Sequence, residues 1–581
     1  MLRGLFRTKQ LDDILAAAER VTLRRTLGAL HVTLLGIGAI IGAGIFATIG
    51  TGAAGDAMRP GAGPSLMLSF SITALVCAFT ALCYAEFASM VPISGSAYTY
   101  SYATLGELVA WIIGWDLIIE YAVGNVAVAI SWANYFRTLL AGVGVDIPQW
   151  LAADYRTAAK IPGLYASAPH VFGVPIVFNL LAFGIVALIT IVLVWGIRES
   201  ARFNAIMVAV KITVLLFFIG IAFKFVTPAR MVENWHPFQP NGWSGTLAGA
   251  AVVFFAYIGF DAVSTVAEET KNPSRDLPIG IITSLIVCTI LYVVVAAVFT
   301  GLIPFEELRK RLATEQAEPL TMALNHVAPR AVWATTIVAF GSVVAHTAVL
   351  LVFQLGQPRI FFSMARDGLL PPVFASVHPR FKTPHVTTII TGVLVGGVAA
   401  FASIDEMVDL TNIGTLFAFV LVCAGIPILR HKDPERRRPF KVPFGPWLLP
   451  GLGVLSCFFL MYYLPPTSWW RFIGWLVLGM SIYTSYGYTH SGLAARAGRA
   501  TTTSLTLRIV SLGFLLAATG LFTMPHHVRA GALLGAAVTP GAPQHARALI
   551  GVGLAVLGFA VGLGGSLRGI TRWLRARSSQ R

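Results

Sequence analysis

The chain has 581 residues, 56% of them hydrophobic and only 12% charged, with a mean hydropathy of +0.75. Soluble domains carry about 25% charged residues, so this composition excludes a soluble globular protein. The net charge of +16 raises the question of nucleic acid, and its distribution along the chain argues against it.

Residues 1–30 are basic and partly amphipathic, with Leu11, Ile14 and Leu15 against Arg20, Arg24 and Arg25. They read as a cytoplasmic segment at the bilayer surface. Such an N-terminus is too charged for a secretory signal. Apolar runs of spanning length follow at 31–50, 64–90, 106–136, 172–196, 203–226, 243–266, 279–303, 330–363, 384–403, 405–429, 446–464, 469–488, 506–524 and 548–567. The expected molecule is therefore an all-α polytopic membrane protein. Lys and Arg are about twice as frequent in the connections on the N-terminal side as in the alternate ones, which puts both termini in the cytoplasm. The basic charge then faces anionic lipid headgroups rather than nucleic acid. Cys77, Cys83, Cys288, Cys423 and Cys457 all fall in apolar runs, without disulfide or metal spacing, and read as small buried hydrophobes. The connections 137–171 and 304–329 are long enough to hold surface helices or lids. The last two runs follow a Gly/Ala/Thr linker and read as an appendage to a core of about twelve helices.

Two runs carry signs of deliberate interruption. In Gly36-Ile37-Gly38-Ala39-Ile40-Ile41-Gly42-Ala43-Gly44-Ile45-Phe46 the glycines each cost roughly 1 kcal/mol in a helix interior. Such a stretch is either a close-packing face or a broken helix, and a break is tolerated only where the backbone is buried in protein or lines a wet cavity. In Phe254-Phe255-Ala256-Tyr257-Ile258-Gly259-Phe260-Asp261 an acid lies beside a glycine deep in an apolar run, where ionisable groups mark function. The two runs are five helices apart, which predicts two five-helix repeats of opposite topology, 31–226 and 243–429. The binding site is expected where the broken helices meet. Amides at Gly42, Ala43 and Gly44 would offer a positive helix end to a carboxylate. Carbonyls near Ile40, Ile41, Phe255, Ala256 and Ile258 would receive an ammonium. A zwitterion suits both.

Lys211 stands alone as a lysine deep in a span. It reads either as a snorkelling side chain or as a buried amine that loads and unloads a proton as its exposure alternates. Glu120, Asp116 and Asn125 in the third run are open to structural or ligand roles. His346 reads first as a satisfied polar packer. Asp409, Thr411, Asn412 and Thr415 in the tenth run read chiefly as structural polar groups. The segment 268–278 reads as an ordered, salt-bridged loop that pairs charge for charge with 357–368. No enzyme signature stands out, so no catalytic, metal or cofactor residues are expected.

These segments resemble the amino acid–polyamine–organocation superfamily, and within it the cationic amino acid transporter branch. The matching stretches are GIGAIIGAGIF (36–46), ESARFN (199–204) with Lys211, FFAYIGFDAVSTVAEETKNPSRDLPIGI (254–281), FFSMARDGLLP (361–371), HPRFKTPH (378–385) and DLTNIGTLFAFV (409–420). The resemblance implies a leucine-transporter-like fold working by alternating access. It puts the substrate carboxylate at Gly42-Ala43-Gly44 and its amine on backbone of the first and sixth helices. Phe255 falls on the aromatic gate, and Lys211 replaces a sodium ion, so the coupling ion would be the proton. Glu120 resembles the third-helix acid, and His346 falls on the face lining the side-chain pocket, where the family does not lead one to expect a histidine.

The expected protein is thus a monomeric inner-membrane transporter of cationic or neutral L-amino acids. Spans 11–12 cover 446–488 and spans 13–14 cover 505–567, ahead of a basic tail at 568–581. Its partners are its substrate, lipid and conceivably a small membrane protein. The rival readings are an exchanger or facilitator, a non-transporting amino acid sensor, and an integral-membrane enzyme, for which no reactive constellation is found.

Overall fold

The computed structural model describes Thr8 and residues 25–90, 96–196, 201–314, 318–493, 505–522 and 557–558. The expected surface segment at 1–30, apart from Thr8 and its last residues, the fourteenth span apart from residues 557–558, and the basic tail lie outside the described residues.

Apolar stretches in which every backbone donor must find an acceptor fold as helices. Among the described residues thirteen spans follow one another. The first is Ala29–Ile40 continued by Gly44–Ala54 at a bend of 40°. Then come Gly63–Met90, Glu107–Gly142, Leu180–Trp195, Phe203–Phe225, Gly242–Glu269, Pro273–Leu302 and Val332–Arg366. The ninth is His385–Phe401 and the tenth Ile404–Lys432. Leu448–Tyr462 and Pro466–His490 turn back on each other at 118° as spans eleven and twelve, and Leu505–Phe522 is the thirteenth. Seven of these helices are long and apolar enough to cross a membrane alone, nine when each bent pair counts once, and spans four, nine and thirteen are shorter.

Local chemistry sets several boundaries. Asn179 caps the fourth span by accepting the Ala182 amide at 3.0 Å. Pro273 and Pro466 stand in first turns, where their missing amide costs nothing. The third span widens into a π-turn at Ile119–Val123, which its apolar pattern does not announce. Residues 96–104 form a helix, although the sequence reads there as a connection.

Span two packs along span seven, three along eight, and four along nine, while one crosses six. Four of the first five helices thus meet the helix five places later. Two five-helix repeats of opposite topology would generate this pattern.

One end of the bundle is rich in loops. It carries the short helices Tyr155–Lys160, Leu164–Ser167, Phe305–Thr314 and Pro319–Val327, in the two connections expected to hold lids. At the opposite end the Glu86 carboxylate, at the end of span two, is buried. It accepts from Arg430 Nε at 2.9 Å and from the Val442 amide at 2.7 Å, with Arg438 close by. The segment after span six was expected to pair with 357–368. The contacts found for it include a short parallel backbone bridge to Thr26–Leu27 and a hydrogen bond from the Ser274 hydroxyl to Ser89 O at 3.0 Å. In the bridge backbone donors meet backbone acceptors, which needs no matched charges.

Candidate functional site

The break in the first span is built by glycine. The helix ends at Ile41, whose backbone is extended (φ −75°, ψ 105°), and Gly42 and Ala43 carry the chain into the π-turn Gly44–Thr48. A Cβ on Gly42 would meet Val349 of span eight at 2.7 Å, and one on Gly44 would lie 2.1 Å from the Ala256 Cα. The first and sixth spans therefore touch backbone to backbone, at the positions the glycine-rich stretch marks out. Both readings of those glycines hold at once, since they pack closely and sit at a break.

Breaking a helix leaves carbonyls without their i+4 amides. Here side chains from other spans take them up. Lys211 Nζ, wholly buried, donates to Gly38 O at 2.6 Å and to Ile41 O at 2.9 Å. Tyr292 Oη donates to Ile40 O at 3.0 Å, and Tyr135 Oη to Phe46 O at 2.7 Å. Lys211 is thus no snorkelling lysine. It holds the negative end of the first half-helix. The Ile40 and Ile41 carbonyls, expected to be open to an ammonium, already serve Tyr292 and Lys211, so a ligand there must share an acceptor.

The sixth span breaks likewise. Its α-helix runs to Val253 and tightens into a 3₁₀ turn at Phe254–Tyr257. The chain then opens at Ile258 (ψ 136°) and Gly259 (φ +117°). That φ favours glycine, and a Cβ at Gly259 would also strike the Ala39 backbone at 2.9 Å. Phe255, Ala256 and Ile258 are buried at this crossing. Asn412 of span ten donates Nδ2 to Ala251 O at 2.9 Å and Val252 O at 3.2 Å.

The acids beside the crossing face each other. Glu120, in the π-turn of span three, lies beside Asp261 of span six and Thr415 of span ten, and both Asp261 carboxyl oxygens and the Thr415 hydroxyl are buried with no hydrogen-bond partner among the described residues. Asn125 turns away from the breaks and donates to Gln354 Oε1 at 2.8 Å, while Gln354 donates on to Thr190 at 2.6 Å. It ties spans three, eight and four together, which does not fit a substrate contact in this arrangement. His346 is also committed. Its Nδ1 lies 2.6 Å from Ser342 O and its Nε2 2.7 Å from Ser131 Oγ, so Nδ1 donates and Nε2 accepts. The ring packs on Phe46 and Tyr135 at 5.7 and 5.8 Å. This is the satisfied packer of the residue reading rather than the pocket-lining group implied by the resemblance.

On the loop-rich side of the crossing lies a cavity of about 490 Å³. Thr48 and Thr51 of span one, Asn134 of span three, Val252 of span six and Asp405 of span ten line it, with Asp154 from a lid. Ala47, Thr48 and Val252, which also line it, stand within a few residues of the breaks. Arg59 closes one wall. It is buried and donates to Asp409 at 2.6 Å and to Asp56 at 2.8 Å. Sequence reading missed this group, because Arg59 and Asp409 are 350 residues apart and Arg59 sits in an unremarkable turn. The signal available was Asp409 itself, an acid near a span end in need of a partner.

A family model for amino acid permeases matches residues 27–483. The chain is 47% identical over 494 residues to the branched-chain amino acid permease BcaP of Bacillus subtilis (strain 168), covering 85% of this chain and all of that one. It is 44% identical over 490 residues to the methylthioribose transporter of the same organism, covering 84% and 99% of the two chains. With the vacuolar cationic amino acid transporter 4 of Arabidopsis thaliana it shares 36% over 438 residues, 75% of this chain and 68% of that one.

Proposed function

The chain belongs to the amino acid permease family and is a multi-pass membrane protein, and from that premise we propose that it moves L-amino acids by alternating access, coupled to protons and independent of sodium. The observation that carries this reading is Lys211. An ammonium held by two carbonyls at the negative end of a half-helix ties span one to span five. Loss of its proton weakens that tie, so protonation and the seating of the first span are linked. The amine also occupies the place where a coupling cation would bind.

The substrate is proposed to lie at the crossing of spans one and six. Its carboxylate meets the amides of Gly42, Ala43 and Gly44, ahead of the first bond of the new half-helix, from Phe46 N to Gly42 O at 3.4 Å. Its amine meets carbonyls of the Phe255–Ile258 stretch, and Phe255 covers it. The side chain is proposed to be neutral and apolar. Both nitrogens of His346 are taken, so it offers no acceptor to a cationic side chain. The likeness to BcaP supports leucine, isoleucine and valine ahead of arginine and lysine. In this proposal the termini are cytoplasmic and the loop-rich end faces outward.

Purified protein in sodium-free proteoliposomes tests the reading against a labelled panel of leucine, valine, arginine, lysine and methylthioribose. Leucine uptake raised by an inward proton gradient is expected. Counterflow without a gradient response would make the protein an exchanger, and arginine outcompeting leucine would reverse the substrate assignment.

A further inference from the structure

We propose that Asn412 is the positioning residue of the sixth span, doing for that break what Lys211 does for the first. The inference rests on the transport reading above and adds a residue to it. In a continuous helix the Gly38 and Ile41 carbonyls would take the amides of Gly42 and Ile45, both at or beyond the first break. The Ala251 and Val252 carbonyls would take the amides of Phe255 and Ala256, which lie inside the 3₁₀ turn that starts the second break. Each pair of oxygens receives one side-chain donor group, Val252 O alongside the Phe254 amide. Lys211 comes from span five at 2.6 and 2.9 Å, and Asn412 from span ten at 2.9 and 3.2 Å. Spans five and ten are the fifth members of the two repeats, and spans one and six are the first. The same joint is built twice.

Asn412 is fully buried, and its Oδ1 has no hydrogen-bond partner among the described residues. The bonds found for this side chain all run to the break. An asparagine kept only for packing would leave an apolar residue of that size the better choice, because an orphan buried acceptor costs about 1–3 kcal/mol. The two joints also differ in kind. The amine gains and loses a proton, whereas the amide cannot. One tie is therefore switchable and the other permanent, so the first half of span six stays with span ten while span one is released.

Asn412→Asp tests this directly. Ionised, the introduced carboxyl has no donor and faces two carbonyl oxygens. Protonated, it donates to one of them. Leucine counterflow is measured with equal pH on both sides, from pH 5 to pH 8, so that no gradient drives it. The titratable groups around the site are Asp116 and Glu120 on span three, Asp261 on span six, Asp409 on the same helix and Tyr84 on span two. All are present in both proteins, so the wild-type curve carries their contribution. The variant is expected to approach wild-type counterflow at pH 5 and to fall about tenfold below it by pH 8, the effect of losing roughly one such bond. Asn412→Leu, which keeps the volume without a donor, is expected to stay low throughout. An Asn412→Asp curve parallel to wild type, or Asn412→Leu with wild-type counterflow, overturns the proposal. If wild type itself shows no counterflow, the transport reading fails instead.

Discussion

At the scale of single residues, the close approach of Gly44 to Ala256 decides what the site tolerates. An alanine at position 44 would put Cβ 2.1 Å from a backbone atom, which no rotamer change relieves. Spans one and six would have to separate. Gly44→Ala is therefore expected to abolish leucine uptake, whereas Gly397→Ala in span nine, with nothing within 4 Å of its Cβ, is expected to leave it intact. Equal uptake by both variants would mean that the crossing is not the working part. The glycines at these breaks were legible in the sequence because their cost in a helix is local. The groups that serve the broken carbonyls were only half legible. Lys211 stands out as a charge in an apolar run, but its acceptors lie more than 170 residues away, except Ile41 at 170. Tyr292 and Asn412 look like ordinary polar members of their helices, and only the folded arrangement shows what they hold.

At the scale of elements, two joints at the loop-rich end respond to chemistry in different ways. Arg59 ties the turn after span one to span ten through a buried pair with Asp409. Removing one member of such a pair leaves a stranded charge, at about 3–5 kcal/mol. Arg59→Met is thus expected to lower the thermal unfolding temperature in detergent, and Arg59→Met with Asp409→Leu to regain much of the loss. A double variant no better than the single would show that the pair is not acting as one unit.

The second joint is Glu318, at the start of the lid helix Pro319–Val327. Its carboxyl accepts from Thr138 of span three and from Thr321 of its own helix, with Arg137 and Arg311 lining the same crevice. Desolvation by burial pushes the acid up to about 7, against the opposing effect of Thr138, Arg137 and Thr321. The value in the seated lid therefore lies above the ordinary 4.5. Seating is favoured fully below the ordinary value and loses that support as pH rises through about 7. Hydrogen exchange across 319–327, corrected for intrinsic rates, is expected to be slower at pH 5.5 than at pH 8, and Glu318→Gln to remove the difference. The short helices of these connections were foreseen from connection length. Their ties were not, because they join residues 180 or more positions apart.

At the scale of the whole molecule, the order of spans was readable from hydropathy, and their pairing was not. The packing of two on seven, three on eight and four on nine exists only in three dimensions, although the five-helix spacing of the two interrupted runs anticipates it. The family match ends at residue 483, ahead of the thirteenth span, which packs on the twelfth. Within the bundle the breaks of spans one and six are each served from the fifth helix of the proposed repeat, and in the proposed cycle only the first is released. Of the two serving side chains, Lys211 is the one able to change its charge within the joint it holds.

The most direct test of that account is uptake of labelled leucine into sodium-free proteoliposomes, with and without an inward proton gradient, by wild type and Lys211→Ala. The account predicts gradient-driven uptake by wild type, and a variant that binds leucine but no longer responds to the gradient. A Lys211→Ala protein that keeps the full gradient response would contradict it.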